Sequence, residues 1–363
     1  MTTDAPRRLA PLSAMALAVG LLPGAAGADR LVTGVSYSTV YGATAQVDLG
    51  FTDILSSGVD LRLGYRGGSE GHGTSLALTR DWEFGDTGLG RDTVLTFGIE
   101  GYSRDWDFQS YRRETYTAAL SLDAGLTERA RYSVGIFAQH DDLEESDDDV
   151  SPLILKDLGD SHASGIDLGL TWSNRQKGAS LALGTEARID LRRAGFGSGR
   201  DFSQVSVNAE TFLPMGRGTI LNLGFDGGLV SSNDGDYVTL LDRATMGGGM
   251  LRGFTFDGIG PRDMDTDDAL GGTRYLAASA ELFVPTPRDN LWLGAFYDIG
   301  TLWHLPGLDG ADIDDDLYWR QSVGLSMTFE TRIGRVNTSL AKPIAEREGD
   351  DIQYVSVSLS TTF

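Results

Sequence analysis

The sequence predicts an all-β protein, a transmembrane antiparallel up-and-down β-barrel of about sixteen strands. Three observations carry that prediction. Apolar and polar residues alternate with period two through segments of about ten to fifteen residues, which suits a tilted bilayer crossing better than a short soluble strand. The connections between these segments alternate short and long. The chain opens with the pattern of an export signal, and no later stretch is apolar enough for a spanning helix.

Composition removes several function classes. The 363 residues carry a net charge of −22, so a phosphate backbone is repelled and nucleic acid is not an expected partner. With no cysteine there is no disulfide scaffold, zinc ribbon or thiol catalyst. Glycine numbers 48 against 10 prolines with no collagen-like period, which points to tight turns and closely approaching strands.

In chain order, Arg7 and Arg8 precede an apolar run over 9–22, followed by Ala26-Gly27-Ala28 before Asp29. This is the basic, apolar and small-residue order of a cleavable secretory signal. About fourteen apolar residues fall short of the roughly twenty of a spanning helix. The expected division is a signal peptide over 1–28 and an outer-membrane barrel domain over 29–363, exported to the outer membrane of a Gram-negative bacterium.

The alternation is clearest over 179–191, where Leu181, Leu183, Ile189 and Leu191 share one face and Ser180, Glu186, Arg188 and Asp190 the other. Over 219–229, Leu221, Leu223, Phe225 and Leu229 oppose Asn222, Gly224 and Asp226. Strands are expected near 31–38, 42–51, 58–67, 73–83, 92–106, 111–126, 131–140, 163–173, 178–192, 201–213, 217–230, 273–285, 290–301, 318–330, 332–341 and 352–363. The links 174–177, 214–217, 286–289 and 330–332 are tight, whereas 141–162, 231–272 and 302–317 are long. Short periplasmic turns and long external loops produce this alternation, and an even strand count leaves both termini on the periplasmic side.

On the last segment Val355, Val357, Leu359, Thr361 and terminal Phe363 share one face. An aromatic ending an alternating strand resembles the assembly signal of outer-membrane barrels, which assigns Val355, Val357, Leu359 and Phe363 that role; an ordinary edge strand is the alternative. Lipid offers no hydrogen-bond partner, so the last strand must close onto the first.

The longest connection contains Leu251-Arg252-Gly253-Phe254, then Ile259-Gly260-Pro261 and Gly271-Gly272, and Phe296-Tyr297-Asp298-Ile299-Gly300 follows on the thirteenth segment. In this order the set resembles the BamA-type barrel superfamily, the bacterial surface antigen family. That family's signatures are [VIL]-R-G-[FY] in an inward-folded sixth external loop and F-x-D-x-G on the thirteenth strand. The Ile259-Gly260-Pro261 and Gly271-Gly272 segments bring the match nearer to the BamA branch than to the two-partner secretion translocators. The resemblance implies a loop-lock motif of Leu251, Arg252, Gly253 and Phe254, with Glu281, Phe296, Asp298 and Gly300 as its partners in the lumen.

Side-chain parity supports the same residues. If Leu276, Ala278, Ala280, Leu282 and Val284 face lipid, Glu281 faces the lumen; outward Leu291, Leu293, Ala295, Tyr297 and Ile299 put Phe296, Asp298 and Gly300 inside. Two inward carboxylates on neighbouring strands need a cation. Arg252 is the natural donor because a guanidinium can grip carboxylates in pairs, and Gly253 lets the backbone pass close to the wall. A solvated loop arginine is the alternative.

Relatives in this superfamily carry soluble POTRA domains between signal and barrel. Here the first alternating segment begins at about Leu31, so the chain resembles a form lacking them, which puts periplasmic client capture in doubt. The implied function is non-enzymatic: assistance in inserting, assembling or translocating outer-membrane proteins through a lateral seam between first and last strands. Its implied partners are outer-membrane lipids, lipopolysaccharide, unfolded outer-membrane protein clients and assembly lipoproteins. The alternative is a passive pore or structural barrel.

No cofactor or metal is expected. His72, His140, His162 and His304 fall at or near expected loops and form no H-E-x-x-H pair. The acidic runs over 141–149 and 312–316 lack EF-hand spacing and read as solvated external loops. The serine of Gly195-Phe196-Gly197-Ser198-Gly199 is out of register for a nucleophile elbow, and a serine–histidine pair on adjacent strands, having no fixed spacing, is a distant third alternative.

Overall fold

A computed structural model describes residues 29–362 except 39–41, 70, 83–89, 106–108, 147–149, 177–180, 198, 236, 289, 309–311 and 332–333. The expected signal over 1–28 and terminal Phe363 lie outside the described residues.

Sixteen antiparallel strands close into one barrel. They are β1 (Arg30–Ser38), β2 (Gly42–Phe51), β3 (Asp60–Gly68), β4 (Gly71–Trp82), β5 (Arg91–Asp105), β6 (Tyr111–Gly125), β7 (Ala130–Glu145) and β8 (Gly159–Ser173). The second half comprises β9 (Gly184–Ala194), β10 (Phe202–Gly216), β11 (Thr219–Ser232), β12 (Arg274–Pro285), β13 (Leu291–Trp303), β14 (Arg320–Thr331), β15 (Gly334–Ala345) and β16 (Val355–Thr362). Each strand pairs with its sequence neighbours, and β1 with β16.

The barrel is apolar on its outside. Val134 and Ile136 on β7, Leu168 and Leu170 on β8, Leu293 on β13, Leu325 on β14 and Leu340 on β15 are exposed, while their inward neighbours, Phe137 and Trp292 excepted, are polar or small. An exposed apolar belt around a polar interior is the inverse of a soluble sandwich and fits a lipid-facing wall. Among the described residues no helix is long and apolar enough to cross a membrane.

Packing inside comes from loops rather than from strands alone. Met246, Leu251, Phe254 and Ile259 of the β11–β12 connection form a buried cluster with Ala277 of β12 and Leu302 of β13. A second cluster joins Leu143 of β7, Val150 and Ile154 of the β7–β8 connection, Leu240 and Leu270 of the long connection, and Leu305 and Leu308 after β13. The loops thus cap and fill one end of the barrel with their own apolar core.

Several expected boundaries move. Strand β9 starts at Gly184, not near 178. Strands β7 and β8 run past the expected 140 and 163 to Glu145 and from Gly159, pairing Asp141 with Ser161 and His140 with His162. Over 141–145 the outward Asp142 and Glu144 and the inward Asp141 and Glu145 are all acidic and Leu143 alone is apolar, so the alternation did not mark them as strand. The acidic run is therefore not one solvated loop. Asp141 is fully buried in the lumen, accepting from the Thr115 hydroxyl at 2.6 Å and from Arg113 at 2.8 Å and Arg200 at 2.5 Å. Residues 147–149 lie outside the described residues. The second run is likewise tied down: Asp314 pairs with Arg347 at 2.9 Å, and the Asp315 carboxylate accepts from Leu305 N–H at 2.6 Å.

Candidate functional site

The β11–β12 connection, over 233–273, turns into the barrel, as the inward-folded sixth external loop was expected to do. Its Leu251 and Phe254 are fully buried. Apolar side chains flanking Arg252 therefore carry the loop inward, and the guanidinium arrives where β12 and β13 present Glu281 and Asp298.

Those carboxylates belong to the inward parity of their strands: Glu281 and Asp298 are buried, whereas Leu282, Val284, Leu293 and Tyr297 are exposed outside. Arg252 Nε and Nη2 donate to the two oxygens of Asp298 at 2.7 and 2.8 Å. Its backbone N–H adds a bond to Asp298 Oδ2 at 3.2 Å, and Nη1 donates to Glu281 Oε2 at 2.7 Å. The guanidinium also lies 3.5 Å from the ring centroid of Phe296, a cation–π contact on a third side. Burial by itself lowers the Arg252 pKa; the hydrogen bonds and charges of Asp298 and Glu281 outweigh it and raise it, so the arginine stays charged.

Two glycines make the approach possible. Gly253 has φ +100, and a Cβ there would lie 3.2 Å from Cβ of Ser322 on β14 and 3.4 Å from Cβ of Ala341 on β15. A Cβ on Gly300 would stand 3.0 Å from Met246 Sδ, so this position keeps the strand wall thin beneath the loop.

Other participants were not found by sequence reasoning. Ser326 of β14 donates its hydroxyl to Glu281 Oε1, which parity on that strand would have suggested. Gly253 and Phe254 pair antiparallel with Gln353 and Ile352 of the β15–β16 connection, an association no local pattern announces. Arg243, buried in the same long connection, donates to the carbonyls of Val238 at 2.9 Å and Leu270 at 3.0 Å and holds the loop's own shape.

At the closure, Val355 is exposed and Val357 and Leu359 are half-buried. Leu359 is the register partner of Val336 on β15 and of Tyr37 on β1. Phe363, assigned to the same assembly signal, lies outside the described residues. The site therefore contains a buried ion cluster that pins a loop to the wall, and a strand junction on the opposite side of the sheet order.

The Omp85 superfamily domain matches residues 32–363. The outer membrane protein assembly factor BamA of Neorickettsia risticii (strain Illinois) is 24% identical over 284 residues, covering 75% of this chain and 37% of that protein. The SAM50-like protein of Schizosaccharomyces pombe is 30% identical over 212 residues, 55% of this chain and 44% of that protein. The chain thus spans less than half the length of these curated relatives. The crystal structure of BamA from Haemophilus ducreyi lacking POTRA domains 1–3 superposes with a TM-score of 0.79 at 22% identity, covering 92% of this chain and 70% of that one, a likeness of fold.

Proposed function

The chain belongs to the Omp85 superfamily, and on that premise we propose that it is an outer-membrane barrel of a Gram-negative bacterium that assists insertion, assembly or translocation of other outer-membrane proteins through the seam between β1 and β16. The observation that carries this reading is the uneven closure. Strand β1 pairs with β2 along its whole length, from Arg30↔Gly50 to Ser38↔Gly42. Its ladder with β16 runs only from Gly34↔Thr362 to Ser38↔Ser358. Among the described residues this is the shorter of the two ladders of β1, so it is the one an incoming strand would replace with the fewest backbone bonds lost, the β-augmentation mode.

Parts of the barrel are suited to different tasks. The loop held by Arg252 braces the β12–β14 side. On the other side, a lumenal cavity of about 670 Å³ borders β1 to β5, with Ser36, Gln46, Asp48, Arg66 and Glu100 in its lining. A client strand entering at the seam would meet this open side. The work is templating, not bond-making, so the protein is not an enzyme in this reading. Its partners are unfolded outer-membrane proteins, lipid and lipopolysaccharide, with assembly lipoproteins as accessory factors.

The same cavity favours one other reading, a passive pore. Depletion of the protein followed by outer-membrane proteomics separates the two. Selective loss of other barrels is the expected outcome; altered small-solute permeability with an unchanged set of barrels would favour the pore.

A further inference from the structure

We propose that the outer face of β6 to β8 carries a binding site for a zinc-class divalent metal ion, built on His140 and His162. The two histidines are direct register partners on neighbouring strands. They share the outward parity of Val134 and Ile136 on β7 and of Ile166 and Leu168 on β8, so both point away from the lumen. They stand just past the apolar belt, where the wall emerges from lipid into polar surroundings.

The geometry is that of a two-nitrogen bite. His140 Nδ1 and His162 Nδ1 are 3.2 Å apart, with ring centroids 4.7 Å apart and planes inclined by 28°. Two nitrogens each about 2.0–2.1 Å from a tetrahedral zinc are separated by about 3.3–3.4 Å, so a small ring rotation admits the ion. The other nitrogen of His140, Nε2, lies 3.2 Å from Asp160 Oδ1. A carboxylate on the far nitrogen of a metal-bound imidazole fixes its tautomer and orientation. With Nε2–H donated to Asp160, Nδ1 of His140 presents a lone pair. His162 then needs only to carry its proton on Nε2 to present a second.

The surrounding charge selects a cation. On the next rung of the same face Glu114 pairs with Asp142, and Asp142 with Asp160, setting three carboxylates in a row across β6, β7 and β8. Like charges opposite one another on a ladder are destabilising unless a cation offsets them. On the same face Arg112 is engaged by Glu144 one rung further out. An anionic headgroup would meet this row unfavourably, whereas a divalent ion would find two imidazoles and a choice of carboxylate oxygens. Among the described residues no three donors already stand as a closed shell, so the imidazoles provide the anchor, and a carboxylate or water completes the coordination. Sequence reading overlooked the pair because its members are 22 residues apart and meet only across strands.

The test uses the full chain refolded in detergent micelles, titrated calorimetrically with zinc chloride. One ion per barrel is expected, with affinity falling roughly tenfold or more in His140→Gln and again in His162→Gln. Copper(II) added instead should give an electron paramagnetic resonance spectrum split by two imidazole nitrogens, reduced to one in either variant. Asp160→Asn should weaken binding less than either histidine change. Both side chains face outward, so each variant should retain its heat-modifiable band, and if one failed to fold the other would carry the same expectation. Equal zinc affinity in the wild type and the double histidine variant would overturn the proposal. So would the absence of saturable binding below millimolar zinc, or calcium binding that displaces zinc and ignores the histidines.

Discussion

Arg252 concentrates the consequences of the fold in one side chain. It is the cation for two buried carboxylates, so Arg252→Ala leaves both unpaired and should cost about 3 to 5 kcal/mol, read as a lower heat-modification temperature and protease sensitivity of the 233–273 loop. Arg252→Lys should rescue only part, because an ammonium reproduces neither the paired bonds to Asp298 nor the planar stack on Phe296. Asp257, further along the loop, behaves in the opposite sense. Burial pushes its pKa up to about 6, against the lowering influence of the Gln109 hydrogen bond and Arg262. A carboxyl raised in the folded state binds its proton more tightly there than in the unfolded chain. Its folding contribution is therefore undiminished below about pH 4 and declines as pH rises toward 6, by a few kcal/mol at most. Loop protection against protease should accordingly weaken between pH 4 and 6 in the wild type. Asp257→Asn, which keeps an acceptor for Gln109 Nε2, should hold it flat; an unchanged pH response would remove Asp257 as its origin.

At the scale of elements, the external ends of β6 and β7 and the following loops form a polar frame inside the wall. Asp141 of β7 joins Arg113 of β6 to Arg200 of the β9–β10 connection, and Arg200 also reaches Asp242 of the long loop at 3.2 Å. Asp141→Ala should therefore destabilise by about 3 to 5 kcal/mol, while Glu145→Ala, exposed four residues later, should stay within about 0.5 kcal/mol. Thermal unfolding of the two variants checks the contrast, and equal effects would mean that the frame contributes nothing to stability. This frame also marks where the sequence stopped being legible. Period two is readable where one face is apolar, as on β12 and β13, and parity there assigned Glu281 and Asp298 to the lumen. It fails over 141–145, where Leu143 is the one apolar residue among four acidic ones and the alternation carries little contrast. The pairing of Phe254 with Ile352 was invisible for another reason, since it joins segments nearly a hundred residues apart that have no pattern of their own.

For the molecule as a whole, the two halves of the barrel differ in how they are filled. Loop residues pack the lumen against β12 to β14 and fix that wall through Arg252, whereas β1 to β5 border an open cavity and include the short ladder to β16. Mechanical freedom should follow this division. Strands that border an open cavity, with a short ladder beside them, open at lower free energy than strands braced by a buried ion cluster. In the proposed function that freedom is the working part, which a cross-link can test without touching the lock. The chain has no cysteine, so Val35→Cys with Thr361→Cys, register partners across the seam, introduces one disulfide and no competing thiol. Oxidised, the variant should still fold into a heat-modifiable barrel, because the bond joins strands that already pair. It should lose most of its ability to promote barrel insertion into reconstituted vesicles, and a reductant should restore it. A control pair at Val336→Cys and Leu359→Cys, across β15 and β16, should leave insertion intact. Full activity in the oxidised seam variant would exclude opening between β1 and β16 as the route and leave the pore reading stronger.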